Sequence, residues 1–357
     1  MALDFVTNQE IIVAAREKLD PHAWIYLTGG AESETTMRRN RLGLDSLALR
    51  PRVLVDVSNI DTSTSFLGHK LKIPVLLAPI GSLQIITPEG ALAVAQAAAE
   101  FGTINFLSSV TQPGLEEVAA ATKAPKIFQL YVQGDMKWVE DILTRVKRAG
   151  YSALCLTVDT AIYGRRERQM MDRFLPPSRR QAGYEHRSML TWETMDAIKE
   201  IAGLPFILKG VATAEDAALA VAHGVSAVYV SNHGGRQLDH GRGTIEMLPE
   251  IAAAVAGKAE IVLDGGILRG TDVVKALALG ANSVAIGKLQ GWGLGAGGKE
   301  GLLRVLEILE NEIAVAMGLL GVTRVDQLTP SYVCPGAPVS FAHEMSAFPH
   351  LPGGRLL

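Results

Sequence analysis

Short runs of almost unbroken apolar residues recur along most of the chain. They alternate with stretches whose apolar positions repeat every three to four residues. The runs fall at 73–81, 103–109, 126–132, 153–159, 206–211, 227–233, 260–266 and 283–288. A strand covered on both faces needs apolar side chains at every position, so these runs predict buried parallel strands. The stretches between them, such as 88–101, 135–149 and 213–223, predict amphipathic helices. Several open on proline, aspartate or threonine, which cap or pre-organise a first turn. Eight βα units in about 250 residues predict an α/β fold, a (β/α)8 TIM barrel rather than an open doubly wound sheet. Residues 1–72 predict an N-terminal helical cap with a small hairpin around Gly68, His69 and Lys70. The barrel then spans 73–325, and a proline- and glycine-rich tail, 326–357, is expected to be irregular. Together these form one expected domain, 1–357.

Composition narrows the function. The 357 residues are 48% hydrophobic and 20% charged, enough apolar material for a large core. A formal net charge of −3 gives no reason to expect a nucleic-acid partner or attraction to anionic membranes. The two cysteines, Cys155 and Cys334, follow no metal-ligand spacing and cannot form a disulfide framework, which points to a reducing compartment. The opening Met1 to Phe5 has no signal-peptide pattern, and no apolar run approaches the roughly 20 residues that span a bilayer. The ending Arg355-Leu356-Leu357 does not match the Ser-Lys-Leu peroxisomal address, so a cytoplasmic enzyme is expected.

In a TIM barrel the active site lies at the C-terminal ends of the strands, where the βα loops converge. Read in order, those ends carry Pro79, Ile80 and Gly81; Ser108; Gln129 and Tyr131; Thr157 and Asp159; Lys209; Ser231, His233 and Arg236; Asp264, Gly265 and Gly266; and Gly287 with Lys288. Packing alone does not call for so polar a set. The last two ends suit a phosphate: glycines let backbone N–H groups approach its oxygens, a helix N-terminus adds a favourable dipole, and Arg269 and Lys288 supply charge. Many barrels bind phosphate there without a flavin, so this feature leaves the ligand open. A lone histidine more often packs than catalyses. His233, however, lies at a strand end beside two glycines, with an arginine three residues on. Imidazole takes a proton near neutral pH, a guanidinium holds a carboxylate in a bidentate grip, and Asp159 is placed to orient the imidazole. The 160–190 connection carries seven arginines, at 165, 166, 168, 173, 179, 180 and 187, around Pro176-Pro177. It is either a solvated basic loop or a lid that attracts an anionic substrate.

These residues resemble the FMN-dependent 2-hydroxy acid oxidase and dehydrogenase family. The segment from Ser231 to Asp239, SNHGGRQLD, is its most specific signature. Phe128 to Tyr131, Leu156 to Asp159, Gly164 to Arg166, Lys209-Gly210 and Leu263 to Gly266 match in order. The resemblance implies FMN as cofactor, a small 2-hydroxy acid as substrate, and a homo-oligomer, commonly a homotetramer. His233 resembles the active-site base that takes the hydroxyl proton or the α-proton, and Asp159 its carboxylate partner. Arg236 and Arg166 resemble the substrate-carboxylate clamps, joined by Tyr26, while Tyr131 resembles the tyrosine beside the substrate hydroxyl. Lys209 resembles the lysine near flavin N1. Ser108, Gln129, Thr157 and Ser231, with the strand end Pro79, Ile80 and Gly81, fall in the flavin and ribityl set. Asp264, Gly265, Gly266, Arg269, Gly287 and Lys288 match the ribityl and phosphate site.

Three positions depart from the family pattern. Lys288 stands where arginine is usual, which keeps the charge but loses the planar fork. Gly81 stands where many oxidases carry alanine. Val110 replaces a tryptophan of glycolate oxidase. That change opens the pocket to medium-chain or aromatic substrates unless the 160–190 segment refills the space. The reading is oxidation of an (S)-2-hydroxy acid to the 2-oxo acid. The final acceptor is left among oxygen, oxygen with decarboxylation, and a quinone or redox protein. Two other readings stand beside it: a flavin-free isomerase or aldolase acting on a phosphorylated substrate, and a non-catalytic FMN-binding relative.

Overall fold

The computed structural model describes residues 4–180 and 182–352. The readings that rest on Met1, Ala2 and Leu3 and on Arg355, Leu356 and Leu357 lie outside them. Eight parallel strands close into a barrel: β1 (Val75–Leu77), β2 (Asn105–Ser108), β3 (Lys126–Leu130), β4 (Ala153–Thr157), β5 (Phe206–Val211), β6 (Ala227–Val230), β7 (Glu260–Leu263) and β8 (Ser283–Ile286). β8 returns to β1 with Val284, Ala285 and Ile286 opposite Val75, Leu76 and Leu77. All eight expected strands are present. The expected runs overshoot mostly at their C-terminal ends, because the chain stays apolar or extended after it leaves the ladder. Ser231, Asn232 and His233, for example, belong to the loop after β6.

Side-chain alternation divides the core in two. Ile127, Ala153, Cys155, Ile207, Ala227, Tyr229, Val262 and Ala285 fill the barrel interior. Their sequence neighbours Phe128, Leu154, Leu156, Leu208, Val228, Val230, Leu263 and Val284 face the surrounding helices. The hairpin Thr64–Phe66 and His69–Leu71 lies where the sequence placed it. Its Phe66 and Leu71 join the interior cluster, and Leu67 N donates to Glu260 Oε1 (2.9 Å) at the start of β7, so the hairpin closes the N-terminal mouth. Cap helices Asn8–Lys18, Pro21–Thr28 and Thr35–Asp45 precede it. The first packs on the long helix Lys288–Leu320, which bends at Gly297 and Gly298.

Two segments differ from expectation. The tail is not wholly irregular: Val333–Pro335 pairs antiparallel with Leu47–Leu49 and ties it to the cap. A three-residue strand ending in proline is too short for a periodic pattern to reveal. The 160–190 connection folds into three short turns, Glu167–Met171, Pro177–Arg179 and Glu185–Ser188. Its arginines divide. Arg165, Arg173 and Arg180 are exposed, whereas Arg166 and Arg187 are buried. Arg168 reaches Glu34 at 2.5 Å and anchors the segment to the cap. Among the described residues no helix is long and apolar enough to cross a membrane.

Candidate active site

The inward-facing series of each strand changes character at its C-terminal end. On β3 it runs Ile127, Gln129 and then Tyr131; on β4, Cys155, Thr157 and then Asp159; on β5, Ile207 and then Lys209. On β6 it runs Tyr229, Ser231 and then His233, and on β7, Val262 and then Asp264. The same two-residue period that packs the barrel therefore delivers a polar layer above it. That layer floors a cleft of about 1220 Å³, open mouth included.

His233, Gly234 and Gly235 all have positive φ (59°, 65° and 73°), so the chain reverses sharply after β6. At Gly235 a Cβ would sit 2.4 Å from Met37 N of the cap, so only glycine fits there. The reversal brings His233 N to Ser231 Oγ (3.0 Å) and His233 Nδ1 to Asp159 Oδ1 (2.8 Å). Burial pushes the Asp159 carboxyl up, but the facing His233 and Lys209 outweigh it and hold it below the usual carboxylate range. Ionised Asp159 can only accept, so Nδ1 carries the proton and Nε2 keeps its lone pair. Burial lowers the His233 pKa, and Asp159 only partly offsets this, so the imidazole is neutral at pH 7. Tyr131 lies 3.3 Å from Nε2; burial raises its pKa, so its hydroxyl stays protonated and donates.

Lys209 is buried, and Asp264 and Asp159 offset the burial cost so that it stays charged. Its Nζ donates to Ser231 Oγ (2.8 Å) and lies 3.5 Å from Asp264 Oδ2 and 4.0 Å from Asp159 Oδ2. Ser108, Gln129, Thr157 and Ser231 are buried behind the cleft wall. Gln129 Nε2 donates to Thr157 Oγ1 (2.9 Å).

Arg236 and Arg166 line the cleft without a carboxylate partner among the described residues. Arg236 Nη1 donates to Gly29 O (2.6 Å) and lies over the Tyr26 ring, 5.2 Å from its centroid. Burial, with Arg166 nearby, lowers its pKa to about 10, so it remains a cation. Arg166 Nε donates to Arg236 O (3.2 Å). The Tyr26 hydroxyl donates to Gly81 O (2.8 Å), beside Pro79 and Ile80 in the same wall.

Gly265, Gly266, Gly287 and Lys288 line the same cleft. Gly265 has φ 100°, and a Cβ there would meet Thr244 Oγ1 at 2.5 Å. The helix starting at Lys288 offers first-turn N–H groups that have no partner within the helix. Arg269 is a correction. It does not line the cleft; its guanidinium bonds Glu312 Oε1 (2.7 Å) and Ala347 O (3.1 Å) and stacks on Phe348. Leu268 takes the cleft position instead, because one step along the chain at a helix start swings the side chain to another face. The space fits an FMN. Buried Gln129 Oε1 and Asp264 Oδ1 have no partner among the described residues, and Lys209 and a set of glycines with a lysine line the cleft.

The FMN-dependent dehydrogenase family model matches residues 15–335. The chain belongs to the FMN-dependent dehydrogenase family. The L-lactate oxidase of Nostoc sp. is 41% identical over 347 residues, covering 89% of this chain and 95% of that one. The glycolate oxidase of Spinacia oleracea is 40% identical over 353 residues, covering 92% and 95%. The solved structure of a mandelate oxidase is 37% identical, with a TM-score of 0.87, and covers 94% of this chain and all of its own. The protein is thus an FMN-dependent oxidoreductase of the 2-hydroxy acid oxidase class. Neither the isomerase or aldolase reading nor the non-catalytic one gains support from these relatives.

Sequence reasoning did not single out Tyr163, Ser178, Tyr184 or Arg187, which the 160–190 connection brings into the cleft. The arginine-rich composition of the lid was the available signal, but it could not separate Arg187 from the six other arginines.

Proposed function

We propose that the chain oxidises (S)-2-hydroxy acids larger than glycolate to 2-oxo acids, with oxygen as the final acceptor. The observation that carries this reading is the 2.8 Å contact of His233 with Asp159, beside two arginines with no carboxylate partner among the described residues. Arg236 and Arg166, with Tyr26, hold the substrate carboxylate, and Tyr131 meets the substrate hydroxyl. Neutral His233 accepts a proton at Nε2, from the hydroxyl or the α-carbon, and Asp159 stabilises the imidazolium that results. FMN supplies the two-electron acceptor when bound. Lys209, Ser108, Gln129, Thr157, Ser231 and the strand end Pro79, Ile80 and Gly81 would hold its ring and ribityl chain, and the Lys209 ammonium would compensate negative charge there. Asp264, Gly265, Gly266, Gly287 and Lys288 would hold the ribityl chain and phosphate. Oxygen is favoured because the relatives are named oxidases.

The test is anaerobic mixing of the purified protein with a panel of 2-hydroxy acids while flavin absorbance is followed, then admission of air with assay of hydrogen peroxide. The expected result is bleaching, recovery and peroxide. A protein that takes up no FMN, or whose flavin no hydroxy acid bleaches, overturns the reading. We also read the protein as a cytoplasmic homo-oligomer, on two free cysteines and on the exposed apolar run Val53, Leu54 and Val55, which a subunit contact would cover. Light scattering on the holoenzyme and cell fractionation check both points.

A further inference from the structure

The lid places a ladder of alternating arginines and tyrosines around the cleft. Arg166 lies 4.0 Å from the Tyr163 ring centroid, and Arg179 lies 3.4 Å from it on the same ring. Arg179 also lies 4.8 Å from the Tyr184 centroid. Arg187 follows, 4.2 Å from Tyr184 and 4.3 Å from Tyr131. The ladder thus ends on the tyrosine that faces His233. Cation–π contacts hold each guanidinium flat, but they do not use its N–H donors.

Arg187 is the member with two buried donor atoms that have no partner among the described residues. The residue is only 5% exposed and lines the cleft. Its Nε and Nη2 are buried with no hydrogen-bond partner among the described residues. These two atoms are the parallel donors of one guanidinium edge, the edge that grips a carboxylate side-on. No carboxylate lies within ion-pair distance of Arg187 or Arg179 among the described residues, so this part of the wall carries positive charge that the protein does not neutralise. A buried cation with idle donors is costly unless a ligand completes it.

We infer that Arg187 receives a second carboxylate, at the far end of the substrate side chain, and that the preferred substrates are 2-hydroxy dicarboxylic acids. The inference rests on the functional reading above: Arg236 and Arg166 take the carboxylate next to the reacting carbon, and Arg187 takes the other. Val110, in place of a bulkier side chain, leaves room for the longer substrate, and Ser178 is the small lid residue beside it near Gly81. The reaction is the same two-electron oxidation, giving the 2-oxo dicarboxylate, with the electron pair passing to FMN and then to oxygen.

The test compares 2-hydroxysuccinate and 2-hydroxyglutarate with the monocarboxylates 2-hydroxypentanoate and 2-hydroxyhexanoate, by kcat/KM and by anaerobic flavin reduction. The holoenzyme and its Arg187→Leu and Arg187→Lys variants are used. A site built to pair a charged group discriminates strongly against analogues that lack it. The holoenzyme should therefore favour at least one dicarboxylate by roughly tenfold or more. Arg187→Leu should collapse that ratio, and Arg187→Lys should retain part of it. A holoenzyme that prefers the monocarboxylates overturns the inference and leaves the functional reading standing, whether or not the variants fold. Equal losses for both substrate types in Arg187→Leu overturn it too, since a purely structural arginine gives that result. Failure of every hydroxy acid to bleach the flavin overturns the functional reading and this inference together.

Discussion

Replacing Asp159 with asparagine removes one charge and nearly preserves shape. In the parent, the imidazole gains a full positive charge as it takes the proton, next to a carboxylate 2.8 Å from Nδ1. The charge centres then lie about 4 Å apart, and at an effective dielectric of about 20 their attraction is about 4 kcal/mol. That attraction exists only after the proton moves, so it stabilises the transition state and not the resting enzyme. About 4 kcal/mol corresponds to about 10³-fold in rate. Asp159→Asn should therefore slow anaerobic flavin reduction by up to about 10³-fold in stopped flow. The pH profile adds a signature that misfolding would not produce. Activity needs neutral His233, so it falls on the acid side as the imidazole protonates. Burial already sets the His233 pKa below its ordinary value, and Asp159 works against burial by raising it. Removing the carboxylate should therefore move the acid limb to still lower pH while the plateau drops. A limb that moves up, or a loss smaller than tenfold with FMN retained, would refute the pairing.

Arg236→Leu should raise KM far more than it lowers FMN content, since losing one partner of a buried charge pair costs roughly 2–5 kcal/mol; unchanged binding of a 2-oxo acid to the variant would remove Arg236 from its role. Lys288 is held at about 7, chiefly by burial and then by Arg236, so its charge is present below that pH and lost above it. FMN should dissociate more readily at pH 9 than at pH 6 in ultrafiltration, and Lys288→Arg should flatten that dependence; an unchanged pH trend in the variant would count against the phosphate assignment. Val110→Trp should narrow the substrate range toward glycolate, measured as kcat/KM across glycolate, lactate, 2-hydroxyoctanoate and mandelate, because an indole refills space that valine leaves. A parent that already prefers glycolate would show that the position opens nothing.

The barrel was legible because its signal repeats: eight apolar runs alternating with helical stretches leave few alternative folds. The polar layer beside the cleft was legible for a related reason. Gln129, Thr157, Lys209, Ser231 and Asp264 continue the inward period of strands whose lower positions are Ile127, Cys155, Ile207, Tyr229 and Val262. A polar residue in phase with buried neighbours must find a partner or face a ligand. What stayed hidden depends on direction at a single residue or on contacts between distant segments. Arg269 and Leu268 are adjacent, and only the helix start decides that leucine faces the cleft while arginine meets Glu312. The pairing of Leu47–Leu49 with Val333–Pro335 joins residues nearly three hundred positions apart through three-residue strands. Arg187 shares a basic segment with exposed Arg173 and Arg180, and composition cannot say which of them turns inward.

Charge placement links these observations. The sequence as a whole is slightly acidic, at −3, yet the cleft gathers Lys209, Arg236, Arg166, Arg187 and Lys288. Buried carboxylates answer only some of this charge. Asp159 and Asp264 bracket Lys209, so the centre of the cleft is neutralised by the protein itself. Arg236, Arg166 and Arg187 have no carboxylate partner among the described residues, and burial depresses the pKa of Arg236 and Arg187. Burying cations without counter-ions costs stability, and the barrel core and the Arg168–Glu34 anchor of the lid must offset that cost. The uncompensated charge lines the cleft as a group: the arginines Arg236, Arg166 and Arg187, with Lys288 close enough to Arg236 for that guanidinium to lower its pKa. An anionic ligand set, a phosphate together with carboxylates, answers this charge. Lys209, bracketed by Asp159 and Asp264, is answered by the protein itself, with neutral His233 beside it.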